Sequence, residues 1–169
     1  PLSDETSIYG ALQYLDQSEL SNSQVDSSIY GVMAEIITYN LGFNIAYNRS
    51  FSDELKGSFS GFGGGTLFTN MDTMILDEIT YDRDAGAIVT GISYEINNFA
   101  FLYAYGNFKG KSNSLDQKEH IVEQDMGVEY NFNDEFVAYM IYIKSQDKQN
   151  KIPTDYDFEH VRLMVNYNF

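Results

Sequence analysis

The C-terminal segment Val161-Arg162-Leu163-Met164-Val165-Asn166-Tyr167-Asn168-Phe169 carries an apolar or aromatic side chain at every odd-numbered position. Successive side chains of a β-strand point to opposite faces, so this period of two makes one face apolar. Arg162, Asn166 and Asn168, together with the preceding His160, fall on the other face. The alternation predicts a strand that lies between lipid and water.

Three other places show two alternating segments joined by a pair of turn residues, namely Tyr39-Asn40, Asn97-Asn98 and Asn133-Asp134. Asn and Asp tolerate the positive φ that tight hairpin turns demand. In each hairpin, the residues that would stand opposite each other fall consistently on one face. A slip of one residue would invert every face, so this agreement favours three hairpins with the register centred on these turns.

The predicted registers separate apolar outward pairs from polar or small inward pairs. The third hairpin includes one inward pair of opposite charge, Glu123 with Lys144, which would attract directly across the ladder. Representative predicted pairs are Ile36/Phe43, Ile96/Phe99 and Tyr130/Val137 outward, and Glu35/Asn44, Glu95/Ala100 and Glu129/Ala138 inward.

With a first strand near Thr6 to Asp16 and a last one near Tyr156 to Phe169, the chain contains eight predicted strands. Transmembrane β-strands need about 9–11 residues, which these segments supply. Short turns alternate with long polar loops at about 17–26, 51–83, 109–118 and 146–155. We therefore expect an all-β fold: an antiparallel, up-and-down transmembrane β-barrel, with residues 1–169 as one barrel domain or a half-barrel and both chain ends periplasmic.

Composition narrows the classes of partner. Asp and Glu outnumber Lys and Arg by 25 to 10, for a formal charge of -15, whereas nucleic-acid binding needs a basic face. The absence of cysteine excludes disulfides and thiolate chemistry. The longest apolar runs, Phe99 to Tyr105 and Phe136 to Ile143, are far shorter than the ~20 residues of a spanning helix.

The loop at 51–83 is too long to be a passive connection. Thr69-x-x-Asp72 has the pattern of a capping box and predicts a short helix through Met71, Met74, Ile75 and Ile79. Such a helix would either fold inward and constrict a pore or pack outside as a lid or subunit contact. The sequence leaves both positions open.

The inward face is polar, acidic and rich in small residues. Because an eight-stranded barrel holds only its own side chains, so many Gly and Ala residues would underfill it unless the long loop plugged it. This favours one half of a barrel of about 16–18 strands, in which excess carboxylate attracts cations. Alternatively, the acids pair with Lys144 and Arg162 and only hold the wall together. The candidate pore-lining residues are Glu35, Asn44, Asn48, Glu95, Glu123, Asp125, Glu129, Lys144, His160 and Arg162.

The terminal segment resembles the last strand of Gram-negative outer-membrane β-barrels, and the stretch Gly63-Gly64-Gly65-Thr66-Leu67-Phe68-Thr69-Asn70-Met71-Asp72 resembles the C-terminal part of OprD-type porins. The resemblance implies passive diffusion of small hydrophilic or cationic solutes, without cofactor or metal. It also implies monomers or homotrimers in an outer membrane containing lipopolysaccharide. The barrel-assembly machinery would read an alternating signal formed by Val161, Leu163, Val165, Tyr167 and Phe169.

Two other functions compete with a porin. A complete small barrel in the manner of OmpA-like and OmpX-like proteins would serve as an anchor or as a surface for interaction. A membrane-embedded lipid hydrolase would need a Ser/His/acid group, for which His120, His160, Ser112 and Ser114 are the candidates. Geometry rather than composition defines such a group, so we expect no enzyme.

Loop carboxylates raise the question of calcium, because hard cations favour clusters of oxygen ligands. Asp53, Glu54, Asp82 and Asp84 are the candidates. No twelve-residue EF-hand pattern accompanies them, and solvated loop charge is the simpler interpretation.

Overall fold

Eight antiparallel strands form one sheet in which each strand pairs with its neighbours in chain order. A computed structural model describes residues 6–18, 22–60, 66–133 and 135–167. The sheet is not closed, so the first and last strands are its edges. The strands are β1 (Thr6–Gln17), β2 (Ser27–Thr38), β3 (Leu41–Ser52), β4 (Ala85–Ile96), β5 (Phe99–Gly110), β6 (Glu119–Asn131), β7 (Phe136–Asp147) and β8 (Phe158–Tyr167). The predicted all-β antiparallel meander is confirmed.

The first two predicted hairpins have the predicted register. Glu35 stands opposite Asn44 across β2 and β3, and Glu95 stands opposite Ala100 across β4 and β5. Tyr39 and Asn97 each have a φ of 52°, the left-handed conformation that a tight two-residue hairpin turn requires. Turn chemistry and facial pattern therefore agree in both hairpins.

The predicted register of the third hairpin is wrong by one residue. The backbone N–H of Phe132 donates to the carbonyl of Phe136 at 3.0 Å, and the Asn133 side-chain oxygen accepts from the N–H groups of Glu135 and Phe136 at 2.9 and 2.8 Å. The turn is one residue longer than two, and that single residue exchanges the two faces of β7.

Lys144 consequently lies on the opposite side of the sheet from Glu123. It stands opposite Gln124, and its Nζ lies 2.5 Å from Glu159 Oε1 on β8. Glu123 stands opposite Ser145 instead. The predicted Glu123–Lys144 pair does not form, and Lys144 does not belong to the polar face.

One face of the sheet, called the outer face, is apolar across all eight strands and uncovered. Leu12 is 85% exposed at one edge and Leu163 is 70% exposed at the other. Exposed apolar side chains of this face include Val32, Ile45, Ile88, Ile92, Phe101, Met126, Met140 and Val165.

The opposite face, called the inner face, is partly covered by the connection between β3 and β4. This connection, residues 53–84, is called the inner loop, and its residues 61–65 lie outside the described part of the chain. Leu67, Met74, Leu76 and Ile79 of the loop pack against the sheet. Their buried partners on the sheet and its connections are Ile29, Ala85, Ala87, Val89, Phe108 and Ile121.

The helix in the inner loop is shorter than predicted and begins later. It is a single 3₁₀ turn at Leu76–Ile79, and its N-cap residue Ile75 makes no side-chain capping bond. Thr69 and Asp72 do not form a capping box because their side chains bind Asn48 and Arg162 of the sheet. Among the described residues, no helix has both the length and the hydropathy needed to cross a membrane.

Candidate functional site

The inner loop is fixed to β3 through Asn48, which is fully buried. The Asn48 side-chain oxygen accepts from the Thr69 N–H at 3.1 Å and from the Thr69 hydroxyl at 3.2 Å. Its Nδ2 donates to Gln13 on β1 at 3.1 Å, and Gln13 donates to the Thr66 carbonyl at 3.1 Å. One amide thus joins two strands to the loop.

A second attachment is Glu123 on β6, also fully buried. One carboxylate oxygen accepts from the backbone N–H groups of Thr73 and Met74 at 2.9 and 3.3 Å. The other accepts from the Thr73 hydroxyl. A buried carboxylate is tolerated where charge-assisted hydrogen bonds satisfy it, and here the loop backbone supplies them.

The third attachment combines Asp125, Asp72 and Arg162. Asp125 Oδ2 accepts from the Asp72 N–H at 3.2 Å, and the Asp72 carboxylate forms a salt bridge with the Arg162 guanidinium. Asp125 is only 4% exposed, and its Oδ1 has no hydrogen-bond partner among the described residues; the same is true of Asp72 Oδ2. Of the three neighbouring carboxylates Asp72, Glu123 and Asp125, only Asp72 forms a salt bridge among the described residues.

Small residues on the sheet make room for the loop. A Cβ on Gly106 of β5 would collide with the Met71 side chain, and one on Gly110 would lie 2.7 Å from Arg83 Cδ. Any side chain at these positions would push the loop away. In the folded chain, side chains of the inner loop therefore fill the space beside these inward glycines.

The loop covers only part of the inner face. Towards the short turns the face is open, with Asn44 and Glu95 exposed and with Glu35 and Glu129 half-buried. Asn131 donates to Glu129 at 3.3 Å. The open part is thus a shallow polar wall with three carboxylates.

The structure divides the predicted pore-lining residues into three groups. Asn48, Glu123 and Asp125 lie beneath the inner loop, and Arg162 lies at its edge. Lys144 is on the outer face, which corrects its assignment. The uncovered residues of the inner face are Glu35, Asn44, Glu95, Glu129 and His160.

Two of the four calcium candidates, Asp82 and Asp84, are engaged in other contacts. Asp82 accepts from the Leu55 N–H at 2.9 Å and from the Ser114 N–H and hydroxyl at 3.0 and 2.5 Å. These bonds, with the Ser114 hydroxyl the largest cause, lower the pKa of Asp82 below its ordinary value. Asp84 binds Lys111 at 2.9 Å and Arg49 at 3.5 Å. Within the described ranges, no group of three or more His, Cys, Asp or Glu side chains has the geometry of a metal site.

The two histidines do not come together. His160 lies on the inner face and stacks on Phe158, whereas His120 lies on the outer face opposite Lys109. Ser114 donates to Asp82 rather than to a histidine. The described residues thus bring no Ser/His/acid group together from these candidates.

In β8, Val161, Leu163, Val165 and Tyr167 share the exposed outer face, as the alternation predicts. Phe169, the last residue of the predicted assembly signal, lies outside the described residues, as does Gly63-Gly64-Gly65. The Thr73 and Met74 amides, which bind Glu123, were not among the sequence candidates. Backbone donors carry no side-chain signal, so sequence reasoning had no means of finding them.

The chain matches no protein-family model, no curated protein and no solved structure at the threshold of significance. The resemblance to OprD-type porins therefore stays a proposal, and its support comes only from the sequence and the structure of this chain.

Proposed function

We propose that this chain forms part of the wall of an outer-membrane porin, with a water-filled and cation-preferring path along its inner face. The observation that carries the proposal is the uncovered apolar outer face, which extends over eight strands from Leu12 to Leu163. Soluble proteins rarely expose apolar patches larger than a few hundred Å². Lipid is the environment in which such a face is stable.

The positions of the aromatic residues support a bilayer. Near the short turns, Phe99 and Tyr130 lie 4.6 Å apart between ring centroids, and Phe136 and Tyr167 lie 4.7 Å apart. Near the long loops, Tyr30 contacts Tyr14 at 5.0 Å and Phe51 at 6.1 Å. Aromatic rings gather at both interfaces of transmembrane barrels.

The distance between the two aromatic zones fits a membrane. Phe43 and Phe51 of β3 both face outward, one towards each end of the strand. At ~3.3 Å per residue they are about 26 Å apart along the strand, or about 20 Å along the membrane normal at a tilt of about 40°. The apolar band of known barrels is about 25 Å tall.

The open edges support a barrel larger than eight strands. β1 and β8 are 12 and 10 residues long, and within the described residues they do not pair with each other. Unpaired backbone groups in hydrocarbon cost several kcal/mol each, so both edges need partner strands in a membrane. Further strands of the same barrel would supply them, leaving the inner loop as a local constriction and the uncovered carboxylates beside water.

Planar-bilayer recording of the purified natural protein tests this function. We expect discrete ion-permeable channels whose reversal potential in a KCl gradient shows preference for K⁺. Purified protein that inserts into bilayers without conducting ions would overturn the proposal.

A complete eight-stranded barrel that acts as an anchor or a surface interaction protein is the second candidate, and it requires β1 and β8, the edges of the described sheet, to pair. It is favoured by the apolar cluster packed beneath the inner loop, because a barrel filled in this way conducts poorly. Intact mass separates the two candidates. A natural mature protein near 19.3 kDa supports the small barrel, and one of about twice that mass supports the porin.

A further inference from the structure

A row of basic residues crosses the outer face at the end nearest the long loops. Arg49 of β3 stands opposite Gly86 of β4, which in turn stands opposite Lys109 of β5. Strands two places apart in a sheet are separated by about 10 Å, which both long side chains can bridge. Arg49 and Lys109 can therefore reach one common ligand above Gly86.

Gly86 creates a groove between these two cations. The groove has a volume of about 370 Å³, and its lining includes Tyr47, Ile88 and Tyr105 as well as the two basic residues. A Cβ at Gly86 would lie 3.4 Å from both Cδ and Nη1 of Arg49, so the Arg49 side chain extends over the glycine. One end of the groove is thus cationic, and the other is mainly apolar and aromatic, with Thr90 and Asn107 as its polar members.

The positive charge at this end is incompletely neutralised. Asp84 is shared by Arg49 and Lys111 at 3.5 and 2.9 Å, so one carboxylate serves two cations. Within the described residues, Lys109 makes no salt bridge and is exposed. Three of the ten Lys and Arg residues of a chain with charge -15 are therefore gathered here, and the two that form salt bridges share one carboxylate.

The aromatic neighbours fix the level of the groove in a membrane. The Arg49 guanidinium lies 5.3 Å from the centroid of the Phe51 ring, and Phe51 belongs to the aromatic zone near the long loops. Aromatic rings of this kind sit at the headgroup level, and the apolar floor of the groove continues towards the bilayer centre. The cations thus lie where lipid headgroups lie.

We infer that this groove binds a membrane lipid whose headgroup carries phosphate, with the phosphate between Arg49 and Lys109 and an acyl chain against Ile88. Guanidinium and ammonium groups are the usual protein ligands for phosphate, and Arg can hold it with two hydrogen bonds. A free phosphate ion lacks the acyl chain that would occupy the apolar half. The inference rests on the membrane placement proposed above.

Native mass spectrometry of the purified natural protein in detergent tests the inference with lipid A as the probe. We expect retention of bisphosphorylated lipid A and no retention of its dephosphorylated form. The double variant R49A/K109A should bind the phosphorylated lipid at least about tenfold more weakly, because each charged hydrogen bond contributes about tenfold. Gly86→Leu, which fills the groove but keeps both charges, should weaken binding as well.

Lys144→Ala is the matched control, since it removes one cation from the same face beside Glu159 on β8. It should retain the lipid as the unaltered protein does. Equal retention by R49A/K109A, equal retention of dephosphorylated lipid A, or displacement by millimolar inorganic phosphate would each overturn the inference. Insertion of the same proteins into phosphatidylcholine vesicles is scored separately, so failure of the membrane proposal is distinguished from failure of the lipid site.

Discussion

Glu123 is one of the buried residues that fix the position of the inner loop. It is fully buried and accepts from three donors, the N–H groups of Thr73 and Met74 and the Thr73 hydroxyl. Removing the acceptor would leave the buried Met74 N–H without a partner, which costs more than the net value of the bond itself. A single carboxylate therefore links β6 to a loop fifty residues earlier in the chain.

Replacing Glu123 with Ala should detach this part of the loop. Leaving the buried Met74 N–H unsatisfied costs about 1–3 kcal/mol, and the exposed Thr73 donors would turn to solvent, so the loop should open and lose its local protection. Hydrogen exchange at the Thr73 and Met74 amides should speed up by about tenfold or more. Glu95→Ala, on the uncovered part of the same face, is the control and should leave exchange at those amides unchanged.

Asp72 and Arg162 form a partly exposed salt bridge, with side chains 15% and 44% exposed. Exposed ion pairs contribute about 0.2–1 kcal/mol, so we expect a modest loop destabilisation from Arg162→Ala. Once the guanidinium is removed, the neighbouring Asp125 carboxylate also repels the Asp72 carboxylate. A double-mutant cycle with Asp72→Asn, read by denaturant titration, should give a favourable coupling energy in that range; zero coupling would show that the contact is passive.

Asp82 makes the contact between the inner loop and the connection following β5 dependent on pH. Its pKa is lowered in the folded chain, chiefly by the Ser114 hydroxyl and then by the Leu55 and Ser114 amides. A lowered folded pKa means that the stabilisation is present above the unfolded value of about 3.9 and is lost as pH falls through the folded pKa. The Leu55 and Ser114 amide resonances should therefore shift together below pH 4, and Asp82→Asn should abolish that titration.

At the scale of the elements, the hairpins show what sequence pattern can and cannot determine. Facial alternation and turn residues predicted both registers around Tyr39-Asn40 and Asn97-Asn98, because two-residue turns leave one pairing that keeps every face consistent. The prediction for the third turn was wrong because the Asn133 side chain accepts from the N–H groups of Glu135 and Phe136, in a turn that is one residue longer than predicted. β7 carries apolar side chains on both faces, so its pattern could not reveal the shift.

The inner loop was harder to predict for a related reason. Its length indicated a functional role, but its position depends on tertiary bonds from Asn48, Glu123 and Arg162. Thr69 and Asp72 have the local pattern of a capping box, yet their side chains bind Asn48 and Arg162 of the sheet. Tertiary contacts override local propensity wherever a polar side chain has a buried partner.

The β6–β7 turn gives a test of register. Phe132 pairs with Phe136, so deleting Glu135 leaves a two-residue turn and keeps every residue of β7 on its present face. Lys144 should stay outward, and Ile141 and Ile143 should stay buried. We therefore expect this deletion to fold in detergent, measured by far-ultraviolet circular dichroism, whereas under the register predicted from sequence the same deletion would remove the residue paired with Phe132 and shorten the ladder. Deleting Lys151, in the long loop between β7 and β8, should be tolerated in the same way; loss of folding on deletion of Glu135 alone would contradict the assigned register.

At the scale of the whole molecule, the sheet has an apolar outer face and a polar inner face, which under the proposed function meet lipid and water. Lys144 and Glu159 neutralise each other on the outer face, whereas Glu35, Glu95 and Glu129 lie on the uncovered part of the inner face. Charges along a narrow aqueous path set its potential at several times the thermal energy, which raises the local concentration of counter-ions. Selectivity should therefore arise from these three residues rather than from the buried Glu123 and Asp125.

The triple variant E35Q/E95Q/E129Q should lower the K⁺/Cl⁻ permeability ratio by about threefold or more, because it removes the charge and keeps the shape of the wall. The ratio is read from the reversal potential of the natural protein in a KCl gradient at about 0.1 M. Near 1 M salt the Debye length falls to about 3 Å, so the difference between variant and unaltered protein should shrink. Lys144→Gln changes a charge that faces away from the path, and its ratio should equal that of the unaltered protein. A triple variant with undiminished cation preference would mean that ions do not pass along this face.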